Sequence, residues 1–411
     1  MSTSTKSAPF SPGVAGIANQ GCDPITRPFA LTEGGPLFAI EKRVGLIKAH
    51  APTAKRRAVV AALVTWLPLL GLSMLQGRAF GHSVAISFFR DLSVHARFLL
   101  AVPLLLLAES LLGPRLADAA SHFVHSRVVI EKDFPKFDEI VERGLRARDS
   151  ALVEIVIAVL AFGLSILAFR QTAVNVDSWY AARTDNGNSL TWAGWWLRVF
   201  CIPLFQFLAF RWLWRLFLWF QFLSRVRRLD LQLYPTHADG AAGLGFVGEA
   251  QRFYGVLLFA VSTACAGVMA NEILYGKASL ESFAPAIATY VIAALLVILG
   301  PLILFAGTLR KTKRVGLHEY GALSTAYSAA FHRRWIKHEN PSGEELLGTG
   351  DIQSLADLGN SYSYVEKMKP LPVDLRTVLH LAVAGLLPMA PLLLTVMPLK
   401  DLLKLLFKVI A

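Results

Sequence analysis

Residues 200–220 read FCIPLFQFLAFRWLWRLFLWF, and this stretch decides the fold of the chain. About 20 apolar residues in a row are enough for a helix to cross a lipid bilayer. This run also contains two arginines, Arg211 and Arg215, and a basic segment follows it at residues 225–228. The stretch therefore predicts a membrane-spanning helix that carries charge inside it.

The composition extends this prediction to the whole chain. Of the 411 residues, 54% are hydrophobic and 17% are charged, whereas soluble domains average roughly 45–50% and 25%. We therefore expect an all-α, polytopic bundle of six to seven transmembrane helices in contact with the lipid bilayer. The net charge of +12 lies beside the apolar runs, where basic residues orient the protein and contact anionic lipid headgroups. No nucleic-acid partner is predicted.

Seven apolar runs divide the chain into segments. Residues 1–57 are rich in Ser, Thr, Pro and Gly and predict a largely disordered tail. Residues 58–307 contain six runs and predict the bundle, and residues 308–376 predict a helical segment outside it. Residues 377–411 contain a last run that prolines interrupt, so that it spans the membrane or re-enters it, and then an interfacial amphipathic helix. The runs are Ala58–Leu75, Phe98–Gly113, Ala151–Phe169, Leu197–Phe220, Val256–Leu274, Pro285–Ala306 and Val378–Met397.

Three of the six connections between these runs are polar segments rich in lysine and arginine. Residues 114–150 have helical spacing of apolar side chains, and we expect this helix to continue without a break into the run that begins at Ala151. Residues 225–252 form a glycine-rich loop. The longest connection predicts two helices, Val315–Lys337 and Asp351–Met368, the second with a single apolar face.

Lysine and arginine are distributed unevenly between the connections. Most of the 41 lie in residues 1–57, 114–150, 220–252 and 308–376. Cytoplasmic loops of membrane proteins carry the excess of basic residues. These four segments, and with them the N-terminus, are therefore predicted on the cytoplasmic side.

Four charged side chains in the runs form the first candidate site. Arg211 and Arg215 lie one helical turn apart, and Glu109 and Glu154 lie at a similar depth in the second and third runs. A charge in hydrocarbon costs about 2.5–3.5 kcal/mol on insertion scales, so these residues are predicted to meet as buried ion pairs. Two interpretations stay open. The cluster is an ion pathway or a phosphate-headgroup site, since paired arginines suit oxyanions, or it is structural, with arginines that reach toward the interface.

The loop YPTHADGAAGLGF at residues 234–246 is the second candidate site. It contains two chemically capable side chains, His237 and Asp239, among glycines that include Gly240 and Gly243. No P-loop or dinucleotide fingerprint is present, and a metal site would need more ligands. The alternative is a tight connection in which Asp239 caps the helix that follows.

The third candidate site lies near the outer end of the fifth run, at Asn271 and Glu272. Glu272 could be a carboxylate at a pore mouth or part of a solvated helix end. The three cysteines of the chain have no metal-ligand spacing. No metal and no cofactor are predicted.

Two stretches carry a resemblance to a known family. Residues 234–246 and the sequence LLGTGDIQSLADL at residues 346–358 resemble a family of uncharacterised polytopic proteins of bacterial inner membranes, and the resemblance runs from the first apolar run to the end of the chain. It implies the same membrane and an unknown activity. In that family a proline follows the loop histidine and a glycine occurs two residues after the next glycine. This chain has Ala238 and Ala242 there, which argues against a rigid role for those positions.

The sequence favours a transport or channel-like protein in which the first candidate site lines or gates a polar path. The alternative is a membrane-embedded sensor or scaffold whose cytoplasmic helices bind a protein partner, and a homo-oligomer fits either hypothesis. A third hypothesis is an enzyme that acts on a lipid phosphate with His237 and Asp239 as acid and base. No nucleophile motif or metal constellation supports it.

Overall fold

The computed structural model of the chain is an all-α helical bundle with one short β-hairpin, which confirms the predicted fold class. It describes residues 28–45, 53–81, 84–172, 177–184, 187–276, 278–337 and 349–395. The helices are α1 (Pro36–Arg43), α2 (Thr53–Leu75), α3 (Leu92–His95), α4 (Val102–His125), α5 (Phe134–Arg148), α6 (Ala151–Thr172), α7 (Trp192–Trp196), α8 (Ile202–Val226), α9 (Gly245–Arg252), α10 (Gly255–Tyr275), α11 (Leu280–Leu299), α12 (Ala306–Phe331), α13 (Asp351–Glu366) and α14 (Leu375–Leu386), and the strands are β1 (Ala181–Thr184) and β2 (Gly187–Leu190).

Among the described residues, six helices are long and apolar enough to cross a membrane, and a seventh is added if the bent pair Glu131–Arg148 and Ala151–Leu167 counts as one span. The described parts of all seven predicted apolar runs fall in these helices, and the last run extends beyond the described residues after Thr395. Many large apolar side chains on α6 are exposed, among them Leu152, Ile155 and Val159, as expected of a helix that contacts lipid. The six spans are Ala54–Leu75, Leu92–His125, Trp192–Val226, Gly245–Tyr275, Leu280–Ile336 and Leu375–Thr395.

The prediction of an unbroken helix from residues 114–150 into the third run is wrong. The chain bends by 44° between α5 and α6. Asp149 lies at this break, where its carboxylate accepts hydrogen bonds from the backbone NH of Gly35 and from the guanidinium of Arg148. An aspartate that bonds outside its own helix favours a helix end.

Two helices extend farther than the sequence analysis predicted. The connection predicted to begin at Pro114 starts only after His125, because α4 continues through this proline. A membrane helix tolerates a proline where neighbouring helices satisfy the backbone groups that it leaves free. The helix predicted over Val315–Lys337 begins earlier, since α12 starts at Ala306. In both cases the helix continues past the end of the apolar run, in α4 despite Pro114. The second helix of that segment, α13, is confirmed.

The predicted disorder of residues 1–57 is wrong for the part of that segment that the structure describes before α2, residues 28–45. Phe29 and Leu31 are fully buried, and the ring of Phe29 stacks on Phe222 with centroids 4.5 Å apart. Residues 1–27 and the amphipathic helix predicted at the end of residues 377–411 lie outside the described residues. Residues 28–35, together with α1, therefore belong to the core and are called the N-terminal strap below.

The bundle has two ends, each formed by connections that contact one another. At the hairpin end, comprising residues 84–95, 177–184 and 271–276, Asn271 donates to Asp91 at 2.7 Å. At the cluster end, comprising residues 28–35, 126–150, 227–244 and 365–373, Gln232 NH donates to the carbonyl of Val128 at 2.7 Å. Segments that share a charge bias in the sequence thus share an end in the structure.

Two π turns precede prolines near the hairpin end. Residues Ala96–Ala101 lead into Pro103, and residues Leu197–Cys201 lead into Pro203. A proline ring crowds the carbonyl four residues earlier and cannot donate a hydrogen bond to it. Each π turn takes up one extra residue at that point, so both helices continue past their proline.

Candidate functional site

Six ionisable side chains meet inside the cluster end of the bundle. They comprise three arginines and three glutamates, so their formal charges cancel. The side chains of the three arginines are 3–6% exposed and that of Glu109 is 7% exposed. We call this group the buried charge cluster; its members are Glu41, Arg57, Glu109, Glu154, Arg211 and Arg215.

Glu109 is the centre of the cluster. Its Oε1 accepts from Nη1 of Arg215 at 2.8 Å and from Nη1 of Arg211 at 3.2 Å. Its Oε2 accepts from Nη1 of Arg57 at 2.5 Å. One carboxylate thereby holds α4 to both α2 and α8. Arg211 reaches Glu154 as well, with 3.3 Å between Nε and Oε1.

The cluster also holds the N-terminal strap. Arg215 donates to the carbonyl of Thr32 and Arg211 to the carbonyl of Gly34, at 3.3 and 3.2 Å. Glu154 accepts from the backbone NH of Leu37 at 2.8 Å. The arginine donors and carboxylate acceptors of α6 and α8 are thus shared between ion pairs and the strap backbone.

The four residues predicted for the first candidate site are therefore brought together, but sequence reasoning missed two members. Glu41 and Arg57 both lie in residues 1–57, the segment predicted to be a largely disordered tail. Their ion pair is 2.6 Å long. Burial raises the pKa of Glu41 above its ordinary value of 4.5, although Arg57 acts to lower it.

In the second candidate site, Asp239 organises the loop backbone. Its carboxylate accepts from the backbone NH groups of Ala241, Gly243 and Gly245 at 2.8, 3.2 and 2.8 Å. Gly245 begins α9, and the N-cap residue of this helix is Leu244, without a side-chain cap. Asp239 therefore does not occupy the predicted cap position, although its carboxylate binds the first backbone NH of the helix. Partial burial acts to raise the pKa of Asp239, but the three backbone donors outweigh it and lower the pKa below 3.8.

The rest of this loop serves the same turn. His237 lies beside Asp239, with 2.9 Å between Nδ1 and Oδ1. Gly240 and Gly243 have φ angles of 65° and 96°, and the buried Ala242 also has a positive φ of 55°. Such angles favour glycine, so the conformation of Ala242 costs backbone energy. The hydrogen bonds of the loop offset this cost. The acid–base hypothesis loses support, because the carboxylate of Asp239 is committed to backbone donors.

The third candidate site contributes to a hydrogen-bond network at the hairpin end. Asn271 accepts from the backbone NH of Leu92 and donates to the buried carboxylate of Asp91. Oδ2 of Asp91 accepts from the indole of Trp179 at 2.8 Å. Asn271 is therefore part of the packing between α10 and α3, whereas Glu272 is exposed beside it.

A cavity of about 400 Å³, lined by both polar and apolar side chains, lies next to this network, between α3, α8 and α10. We call it the hairpin-end cavity. Its wall includes Arg97 and Gln206, which the sequence analysis did not single out, as well as Glu272. Asn271 and Glu272 of the third candidate site line this cavity, and the charge of Arg97 at the edge of an apolar run is a further sequence signal that points to it.

Metal ligands do not cluster in the part of the chain that the structure describes: no group of three His, Cys, Asp or Glu residues there could hold a metal ion. No family model, no curated protein and no solved structure matches this chain. The class therefore follows from the fold alone. The helices define a multi-pass integral membrane protein, with a neutral charge cluster near one end and the hairpin-end cavity near the other.

Proposed function

We propose that this protein moves a small polar solute across the membrane, with the hairpin-end cavity as the binding compartment and the buried charge cluster as a closed gate. The observation that carries the proposal is that both sites lie along the same two helical spans. Leu92–His125 supplies Arg97 to the cavity and Glu109 to the gate. Trp192–Val226 supplies Gln206 and Arg211 in the same way.

Apolar residues separate the two sites. Gln206 and Arg211 are five residues apart, which corresponds to about 7.5 Å along a helix. Arg97 and Glu109 are twelve residues apart, or about 18 Å. The intervening residues include Leu105, which is buried, and the indole of the buried Trp212 donates to the carbonyl of Leu105 at 2.9 Å. A solute in the cavity would therefore reach the cluster only after a rearrangement of this apolar layer.

The cluster has the chemistry of a gate that can close tightly and reopen. Its charges cancel, so closing leaves no uncompensated ion in the bilayer, where an unpaired buried charge is costly. Opening exposes arginines and carboxylates to water, which solvates them. The N-terminal strap lies on the cluster through the carbonyls of Thr32 and Gly34 and would move with it.

The proposed location is a bacterial inner membrane with the N-terminus and the cluster end in the cytoplasm. The basic bias of the segments at that end supports this orientation. The hairpin-end cavity then opens from the opposite side, so that the described conformation is closed toward the cytoplasm.

The test is solute flux into liposomes that contain the purified protein, with chloride, inorganic phosphate and glycine as probes. Arg211→Ala and Glu109→Gln are expected to change the flux of a transported probe by at least about tenfold, equivalent to about 1.4 kcal/mol. Glu139→Gln is the matched control, because its carboxylate pairs with Arg143 at the surface. Absence of flux for every probe, or equal flux in folded wild type and gate variants, would contradict the proposal.

A second candidate function, the sensor or scaffold, is supported by α12 and α13. These helices pack on each other beyond the apolar run that ends at Ala306, yet Leu323 and Ile352 are 55% and 48% exposed. Apolar side chains left exposed on a helix pair suit a protein partner. This hypothesis predicts a partner that co-purifies with the full chain and is lost when residues 315–368 are deleted. A deletion that leaves the co-purifying proteins unchanged would contradict it.

A further inference from the structure

The hairpin-end cavity contains polar atoms that no protein group satisfies in the part of the chain described. Nε of Arg97 is buried without a hydrogen-bond partner there, and so is Oε1 of Gln206. Both residues line the cavity. A buried donor or acceptor without a partner costs about 1–3 kcal/mol, so these two atoms mark a place where another molecule would be stabilised.

Arg97 offers the cavity a cationic donor. Its guanidinium lies 5.6 Å from the centroid of the Phe205 ring, which also lines the cavity. Guanidinium groups stack on aromatic rings and keep their edge donors free for a carboxylate or another oxyanion. One part of the ligand is therefore anionic.

The hydrogen-bond acceptors of the cavity favour a cationic group as well. The carboxylate of Asp91 is already occupied, because its Oδ1 accepts from Ser93, Val94 and Asn271, and its Oδ2 accepts from Trp179. Glu272 is different: it is exposed at the cavity and forms no ion pair within the described residues. Together with Oε1 of Gln206, it provides acceptors for an ammonium group.

We infer that the hairpin-end cavity binds a small zwitterion, with its carboxylate on Arg97 and its ammonium group on Gln206 and Glu272. A simple anion would be repelled by Glu272, and a simple cation would be repelled by Arg97. A molecule that carries both charges meets an opposite charge at each position. The inference rests on the proposed function for the role of the cavity, but binding can be measured without transport.

The test is thermal unfolding of the full chain in detergent. The probes are neutral L-amino acids, with their N-acetyl derivatives, which lack the ammonium group, and their amides, which lack the carboxylate. A ligand that binds only the folded state raises Tm as its concentration increases. We expect the amino acids to raise Tm. The N-acetyl derivatives, the amides, sodium phosphate and ammonium chloride are expected to leave Tm unchanged.

The variants assign the effect to the cavity. Arg97→Gln is expected to abolish the rise in Tm. Arg115→Gln is the matched control, because Arg115 lies 4.9 Å from the Phe253 ring centroid but is not part of the cavity wall, and it is expected to keep the rise. Glu272→Gln removes an exposed charge, so it should fold normally and bind amino acids more weakly.

Three results would overturn the inference. These are no rise in Tm with any amino acid, an equal rise with the N-acetyl derivatives or the amides, and an undiminished rise in a folded Arg97→Gln variant. The outcome is separable from that of the flux test. Amino-acid binding without flux supports the site and contradicts transport, whereas flux without amino-acid binding supports transport and contradicts the zwitterion.

Discussion

Thr32 lies directly against Gly113: a β-carbon built at position 113 would be 2.1 Å from the Oγ1 atom of Thr32. The N-terminal strap thus occupies the space that a side chain on α4 would fill. This contact is four residues from Glu109, on the same helix, so the strap and the buried charge cluster are packed as one unit.

Gly113→Ala is expected to displace the strap while leaving every charged residue in place. The new methyl group cannot share the space with Thr32, and such overpacking costs about 1–3 kcal/mol. In a background in which Cys22, Cys201 and Cys265 are replaced by alanine, a cysteine introduced at Leu31, which is fully buried, should react with a maleimide faster in the Gly113→Ala protein.

Gly71→Ala on α2 is the control, because a β-carbon at position 71 meets nothing within 4 Å. Its labelling rate at Leu31→Cys should equal that of the parent protein. Equal labelling in the Gly113→Ala protein would contradict the packing of the strap on α4.

Glu109→Gln is expected to destabilise the protein by about 3–5 kcal/mol, the typical effect of removing one partner from a buried ion pair. Three arginines would lose their shared carboxylate. The measurement is reversible unfolding of the purified protein in detergent mixed with SDS. Glu139→Gln removes an exposed partner of Arg143 and should cost less than about 1 kcal/mol. Similar costs for the two variants would show that the cluster contributes little to stability.

Asp239→Asn is expected to remove a part of the stability that depends on pH. The pKa of Asp239 is lowered in the folded protein from its ordinary value of 3.8. The stabilisation by its charged form is therefore complete above about pH 4 and is lost as the pH falls through the lower, folded-state pKa.

Melting temperatures of wild type and Asp239→Asn, compared from pH 7 to pH 2.5, test this. The wild type should be more stable at neutral pH, and the difference should shrink below about pH 4. A difference that stays constant over this range would mean that the charge of Asp239 does not stabilise the loop.

Gly316→Ala is expected to separate α12 from the loop at residues 234–246. A β-carbon at 316 would lie 2.8 Å from Pro235 and 3.0 Å from Val365. Gly321→Ala in the same helix makes an ordinary 3.7 Å contact with Tyr362, so it should gain about 0.5–1 kcal/mol of helix stability. Hydrogen exchange of the loop amides should accelerate only in Gly316→Ala, and equal exchange in both variants would contradict this packing.

The membrane helices and the ion pairs among Glu109, Glu154, Arg211 and Arg215 could be predicted from the sequence for one physical reason. An apolar run is a local property that fixes a helix and its depth, and a charge at a known depth must find a partner there. Helix ends were less predictable. The bend at Asp149 depends on a hydrogen bond to Gly35, which is distant in sequence.

The strap and the cavity were out of reach for a different reason. Phe29 is buried because its ring packs on Phe222 of α8 and beside Gly144 of α5, and Glu41 because it pairs with Arg57 of α2. No periodicity in residues 28–45 predicts these contacts. The cavity needs Arg97, Gln206 and Glu272 from three helices. Their meeting depends on how the helices pack, which the residues of one helix do not encode.

The π turn before Pro103 determines the angle, around the helix axis, between Arg97 of the cavity and Glu109 of the cluster. Arg97 and Glu109 are twelve residues apart, and in a regular α-helix their side chains would diverge by about 120°. The extra residue taken up by the π turn leaves about eleven effective steps and reduces the divergence to about 20°. A single proline thereby keeps both polar sites on one side of a helix whose other faces are apolar.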